Sequence, residues 1–389
     1  MKLLLVGGTG VLSSAVTHEA LKQGFEVTMI NRGKRAIPDG VESLVFDCHD
    51  YGGIGNALAG RHFDATIDFL CFSRQELESS FRLYSQFSSQ YVFISSCMVY
   101  DTRGGGWMDE NSPKVLPMWR YSVDKWDCEL ALNQMALQSP CKVTVVRPSV
   151  TYGDTRIPYG EGPQYGFHWT LAARILAEKP IIRWNGGRNR CNVTRVEDFA
   201  IGCIGLIGNS AAFGEAFNIC GDETPSWAEV LDALSLAIGK KAKTIDIPSE
   251  FYAREWPKRA GAILGGRSID SLCRNDKIKK AVPRFRQTIG LEAGIERTVK
   301  AYKERNFQNG IDWRYDADSD RIIYKWCKQT GIPSKGLNLG FVDYIGNASF
   351  RDRMEYAIIR YGDSFFVRLL RRTKRRLTRI VIFFKSGKK

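Results

Sequence analysis

No two of the ten cysteines, scattered from Cys48 to Cys327, stand at CxxC spacing, and the chain holds only four histidines in 389 residues. A structural zinc module needs clustered thiolates and imidazoles, so no metal site is expected. Long apolar runs are also missing, and the opening MKLLLVGG is too short for a signal sequence or a membrane span. With unpaired thiols and no leader, a reducing cytoplasmic compartment is the expectation. Gly/Pro/Ser-rich linkers and solenoid-length repeats are lacking as well. What is present is a folded body, 44% hydrophobic and 25% charged, whose length suits two packed lobes.

The net charge of +14 suggests a nucleic-acid binder until it is located. Residues 364–389 hold ten Lys/Arg and no acid, and taking those ten from 56 leaves 46 basic against 42 acidic residues before them. The body is therefore nearly neutral and the tail is the basic object, which makes nucleic acid a secondary candidate. Leu369, Leu370, Leu377, Ile380, Val381 and Phe384 share one helical face, while Arg371, Arg372, Lys374, Arg375 and Arg379 fill much of the rest. That pattern predicts a basic amphipathic helix on an anionic membrane surface, with subunit packing or RNA contact as alternatives.

Met1 to Val6 is a continuous apolar run, as in a parallel strand covered on both faces. Apolar residues at helical spacing from Val11 to Lys22 and a stop at Gly24 predict a helix, followed by a strand over Glu26 to Ile30. The alternation continues with strands at 43–46, 65–69, 91–95 and 141–147 and helices at 75–87 and 119–137. It predicts an α/β fold, a Rossmann-type doubly wound parallel sheet. Beyond Pro148 the stretch YGDTRIPYGEGPQYGFHW reads as a ligand-facing loop, and helices at 195–207 and 226–239 flank a strand at 216–220. The chain thus divides into a dinucleotide-binding domain (1–150), a smaller substrate lobe returning to it (151–330), and a connector with the basic helical tail (331–389).

The turn after the first strand reads Gly7, Gly8, Thr9, Gly10, Val11, Leu12, Ser13. Gly7 permits the tight turn, and Gly10 lets backbone approach a pyrophosphate at the helix N-terminus, where N–H groups and the helix dipole favour anions. Ser13 replaces the third glycine of the fingerprint. Where an acid would bind the adenosine ribose, the chain has Asn31 and Arg32, with Lys34 and Arg35 near. Loss of the acid and a guanidinium fork suit a 2′-phosphate, so NADP is preferred over NAD.

Tyr121 and Lys125, four apart on a helix, share a face, and an ammonium beside a phenol would lower its pKa. Ser95 and Ser96 in ISSCMVY end a predicted strand, where ligands of open α/β sheets bind. The glycine turn, ISSCMVY, YSVDK and RPSVTYG occur in the order of the extended short-chain dehydrogenase/reductases, and residues 1–310 resemble that superfamily. GGTG, NRG, FDCHD, VTRVEDFA and FNICGDETPSWAEV are most similar to its NAD-dependent epimerase/dehydratase branch. That branch includes nucleotide-sugar enzymes and chloroplast stem-loop RNA-binding proteins.

The resemblance implies a catalytic set of Ser96, Tyr121 and Lys125, with Ser96 and Tyr121 addressing the substrate oxygen and Lys125 also holding the nicotinamide ribose. It places Asp47, with Cys48 beside it, at the adenine and Pro148 and Val150 near the nicotinamide. The implied activity is hydride transfer at a sugar or nucleotide-sugar carbon by an epimerase or reductase of glycan biosynthesis, in a homodimer. Dehydration is disfavoured, because Cys97 and Met98 stand where the 4,6-dehydratases carry an Asp-Glu pair. The arginine that grips the substrate diphosphate is replaced by Cys191, leaving Arg190, with Arg188, as substitute. Trp107, Trp119, Trp169 and Trp184 would stack on substrate or pack between lobes, and His168 is the one histidine of the substrate loop. The alternative function is a non-catalytic RNA-binding or cofactor-sensing relative of the same fold.

Overall fold

The computed structural model describes residues 1–115, 118–306, 310–346 and 348–362. The first half runs β1 (Lys2–Val6), α1 (Val11–Lys22), β2 (Glu26–Asn31), β3 (Val41–Val45), α2 (Tyr51–Leu58), β4 (Phe63–Asp68), α3 (Arg74–Tyr84), β5 (Ser88–Ile94), β6 (Trp107–Met108), α4 (Arg120–Ala136) and β7 (Lys142–Pro148). There follow β8 (Val150–Tyr152), α5 (Trp169–Leu176), β9 (Ile181–Trp184), β10 (Val193–Arg195), α6 (Val196–Gly205), β11 (Glu215–Ile219), α7 (Trp227–Ile238), β12 (Thr244–Ile247) and α8 (Ser249–Glu255). The described chain closes with α9 (Ala260–Ala262), β13 (Leu272–Cys273), α10 (Asp276–Ala281), α11 (Leu291–Glu304), α12 (Trp313–Thr330) and α13 (Phe350–Arg360).

Seven strands form one parallel sheet in the order β11-β7-β5-β4-β1-β2-β3. β1 is central, with Leu4 opposite Thr28 of β2 and Thr66 of β4, and Leu3, Leu4 and Leu5 are fully buried. Side chains alternate across the pleat, so Leu3 and Leu5 pack under α1 and α6 while Leu4 and Val6 pack under α2, α3 and α4. Strand addition reverses direction between β1 and β4, which opens a crevice at their carboxyl ends.

Helix α2 is absent from the sequence expectation because Gly52, Gly53 and Gly55 depress its propensity. It forms because Asp50 caps it, accepting the Gly53 N–H at 3.0 Å, and because Ile54 and Leu58 are fully buried. Strand β11 returns to the sheet beside β7.

The second lobe is built on a separate apolar cluster joining β8 to β10, β9 and β12, and helices α5, α7, α8, α11 and α12. Within it lies a four-membered ionic knot. Arg174 reaches Asp316 (2.5 Å) and Asp320 (3.0 Å), Lys179 reaches Asp316 (3.0 Å) and Asp320 (2.5 Å), and none of the four is more than 1% exposed. Residues after Thr330, expected as a connector, instead complete this lobe. Tyr344 donates to Asp316 at 2.6 Å, Lys179 to Gly340 O at 2.9 Å and Arg360 to Leu339 O at 3.0 Å, while Tyr356 of α13 bonds Asp320. The basic segment 364–389, read as an amphipathic helix, lies outside the described residues.

Candidate active site

At the switch point Gly7 has φ of 87° and donates to Ile30 O at 3.0 Å. A Cβ on Gly7 would fall 2.6 Å from Leu70 Cγ, and one on Gly8 2.3 Å from Met29 Cε, so the turn admits only glycine between β2 and β4. Ser13, in place of the third glycine, fastens the turn: its Oγ accepts the Gly10 N–H at 2.7 Å and donates to Gly7 O at 2.7 Å. Gly10 is the N-cap of α1, with no side chain capping it and no acid in the first turn. Val11 and Leu12 open that turn, and their backbone fits a dinucleotide pyrophosphate.

Asn31 is committed within the protein, donating to Ser43 Oγ at 2.7 Å and accepting the Gly33 N–H at 2.6 Å. Arg32 is exposed and makes no hydrogen bond among the described residues, while Arg35 donates to Thr9 O. Asp47 is held below the usual carboxylate range, first by the His49 backbone N–H and then by its imidazole, with Arg32 adding a little. Burial, then Asp47 and Asp68, push the Cys48 thiol up. Asp68, ending β4, ties down the following loop by accepting Leu70 N–H (2.8 Å) and Cys71 Sγ (3.1 Å).

Beyond β5 the two serines diverge. Ser95 donates to Glu129 at 2.5 Å, joining a buried pair in which Arg147 meets Glu129 at 2.6 Å. Ser96 accepts the Met98 N–H at 3.1 Å and lies close enough to the phenol of Tyr121, the second residue of α4, to lower its pKa. Burial raises the Tyr121 pKa; Ser96, Arg267 and Arg156 work against it. Lys125 is bound to backbone carbonyls. Its ammonium is 2% exposed, donates to Cys71 O (2.6 Å) and Ile94 O (2.9 Å), and sits 4.5 Å from the Phe72 ring centroid. Burial lowers the Lys125 pKa, so this lysine clamps the ends of β4 and β5. Pro148 ends β7 and Val150 opens β8, both buried at the same sheet edge.

Arg190 is placed elsewhere. Its guanidinium is exposed and donates to Thr224 O at 2.7 Å, because its backbone is fixed by Asp270 at 2.9 Å. The cations near the phenol are instead Arg156 and Arg267, and both also act on the buried thiol of Cys191. The Nε atoms of both arginines are buried without a hydrogen-bond partner among the described residues, as is His168 Nδ1. Glu161 is the carboxylate beside them, 3.1 Å from Arg259 and 3.7 Å from Arg267. Burial, reinforced by the Arg156 charge, pushes the His168 pKa down to about 3.

Arg267 ends a π-helical stretch, Ile263–Arg267, and its carbonyl accepts the indole N–H of both Trp184 (2.8 Å) and Trp227 (2.7 Å). Trp169 and Trp184 are core residues of the second lobe, Trp107 is half exposed, and Trp119 packs 5.3 Å from the Tyr121 ring. Sequence reasoning missed Arg156 and Arg267 as site residues. Arg156 stood inside the stretch already read as ligand-facing, whereas nothing in local spacing marks Arg267, whose place depends on the two tryptophans.

A glycine turn at the switch point, with a serine and a tyrosine at the neighbouring strand end, is the arrangement of the short-chain dehydrogenase type. The family model for the NAD dependent epimerase/dehydratase family matches residues 3–220. The chain belongs to that family. It is 25% identical over 253 residues to the chloroplast stem-loop binding protein of 41 kDa b of Arabidopsis thaliana, a match covering 61% of this chain and 63% of the relative's length. Among solved structures, UDP-glucose 4-epimerase of Thermotoga maritima superposes with a TM-score of 0.65 at 16% identity, covering 79% of this chain and all of that one. UDP-glucuronic acid 4-epimerase of Bacillus cereus, solved with UDP-glucuronic acid and NAD, gives 0.62 at 17% identity over 78% of this chain and all of its own. No helix among the described residues is long and apolar enough to cross a membrane.

Proposed function

We propose that the protein is a nicotinamide-dependent epimerase or reductase acting on a nucleotide-activated sugar. The observation that carries this reading is the approach of Arg156 and Arg267 to the Tyr121 phenol beside Ser96, the buried Nε of each arginine making no hydrogen bond among the described residues and that of Arg267 meeting Glu161 only at 3.7 Å. Unpaired buried donors cost free energy, and a diphosphate supplies the acceptors they need. The solved relatives with UDP-glucose and with UDP-glucuronic acid and NAD support the same substrate class.

A nicotinamide dinucleotide, which the Gly7–Leu12 turn, Arg32 and Asp47 would hold, would supply hydride acceptance and return, with Asn31 fixing the loop that carries Arg32. Tyr121 moves the proton of the sugar hydroxyl and Ser96 steadies the same oxygen. Burial leaves the phenol protonated at neutral pH, the form that donates to a carbonyl oxygen, so oxidation of the sugar gains from rising pH. Arg156 and Arg267 hold the diphosphate, and His168 stays neutral beside them. Cys97 and Met98 are buried apolar neighbours of Ser96 and offer no acid for dehydration. Arg32, exposed at the end of β2, favours NADP by taking its 2′-phosphate.

Purified protein incubated with NAD or NADP and a panel of UDP-, GDP- and dTDP-sugars, followed by product chromatography, tests this. A second reading, RNA binding without turnover, is favoured by the similarity to the stem-loop binding protein. Salt-sensitive stem-loop binding with no sugar product would select it.

A further inference from the structure

Three consecutive side chains between β3 and α2 bring three kinds of ligand atom together. Asp47, Cys48 and His49 each present one within 4.8 Å of the others. His49 Nδ1 is 3.1 Å from Asp47 Oδ1 and 3.6 Å from Cys48 Sγ. Around a tetrahedral zinc, bonds of about 2.0 Å to nitrogen and oxygen and about 2.3 Å to sulfur set nitrogen–oxygen edges of about 3.3 Å and nitrogen–sulfur edges of about 3.5 Å. The two edges from His49 are within about 0.2 Å of those lengths.

The backbone holds them there. Asp50 N–H donates to Asp47 O at 3.0 Å and His49 N–H to Asp47 Oδ1 at 3.0 Å. On the outer side of the imidazole, Glu76 Oε1 lies 3.5 Å from His49 Nε2. Glu76 is itself fixed by the N–H groups of Phe72 (2.8 Å) and Ser73 (2.9 Å) at the start of α3. A carboxylate thus stands at each ring nitrogen, so a metal at Nδ1 would take the place of a proton shared with Asp47 while Glu76 holds the proton on Nε2. Charges of both signs lie close: Asp68 acts on Cys48, and Arg32 acts on both Asp47 and Cys48.

We infer that Asp47, Cys48 and His49 form a three-ligand site for a thiophilic divalent cation of the zinc type, with Glu76 behind His49 and the fourth position open. Thiolate with imidazole selects such ions over magnesium or calcium. On binding, the Cys48 proton passes to solvent and sulfur bonds the metal as thiolate. On the reading above the same turn meets the adenine end of the dinucleotide, and resting on that reading, metal and dinucleotide exclude each other.

The test uses the full chain, freed of metal by chelation and kept reduced, titrated with zinc alone by calorimetry and with cobalt by absorbance. The site predicts one ion per chain, a cobalt spectrum with a thiolate charge-transfer band, and proton release visible as a buffer-dependent heat. Cys48→Ser and His49→Ala, both surface changes checked for folding by circular dichroism, should each weaken zinc at least tenfold, and Glu76→Gln about tenfold. Absence of binding, or binding indifferent to Cys48→Ser and His49→Ala, overturns the site. Saturating dinucleotide should raise the apparent zinc Kd at least tenfold; an unchanged Kd with dinucleotide demonstrably bound overturns the exclusion. Failure of the chain to bind dinucleotide at all, with variant-sensitive zinc binding intact, removes the cofactor reading and upholds the metal site.

Discussion

His168 makes the substrate cleft acid-sensitive in a way that can be isolated. His168 is 4% exposed and packs beside Gly162. Burial first, then the Arg156 charge, depress its pKa from an ordinary 6.5 to about 3. Between those two values the unfolded chain binds a proton that the folded one refuses. The contribution is therefore nil above pH 6.5 and turns against folding as pH falls below it. At pH 5 the accumulated penalty is about 2 kcal/mol, at ~1.4 kcal/mol per pH unit. Guanidinium unfolding of wild type and His168→Asn at pH 7.5 and pH 5.0 reads it. The variant pays a pH-independent packing cost, but its stability should fall by about 2 kcal/mol less than wild type between the two pH values. Equal losses in both proteins would refute the depressed pKa.

Arg267→Ala should raise KM for the nucleotide sugar about 10- to 100-fold, since hydrogen bonds to charged groups are each worth ~1.5–3 kcal/mol, whereas Arg190→Ala, facing Thr224, should leave steady-state kinetics nearly unchanged. Asp316→Ala strips Arg174 and Lys179 of a shared carboxylate in the buried knot; a loss of about 3–5 kcal/mol is expected in chemical denaturation. Arg32→Ala should weaken NADP about tenfold and leave NAD unaffected, which fluorescence titration of the reduced cofactors will show.

The sheet was legible in the sequence because its strands, buried on both faces, read as apolar runs and its helices carry one apolar face. Serine and tyrosine were legible too, since each follows from a local position, a strand end or the first turn of a helix. The contacts of Lys125 were not legible, because the carbonyls of Cys71 and Ile94 that accept its hydrogen bonds come from the loop after β4 and the end of β5. Arg190 and Arg267 illustrate the same limit. The guanidinium of one is drawn to Thr224 and the backbone of the other is fixed by Trp184 and Trp227, long-range partners that no spacing rule encodes. Helix α2 escaped notice because its glycines mask the Ile54 and Leu58 pair that its Asp50 cap helps bury, and the segment after Thr330 because its ties to the ionic knot come from residues far away in the chain.

In the reaction proposed above, Tyr121 moves the substrate proton. The most direct test of this step compares wild type and Tyr121→Phe on a nucleotide sugar that wild type converts, with cofactor binding measured in both. Tyr121→Phe should bind cofactor normally and lose about 100-fold or more in kcat, as expected for a lost acid–base group, while the wild-type rate of sugar oxidation climbs with pH. A phenylalanine variant that turns over at the wild-type rate would contradict it.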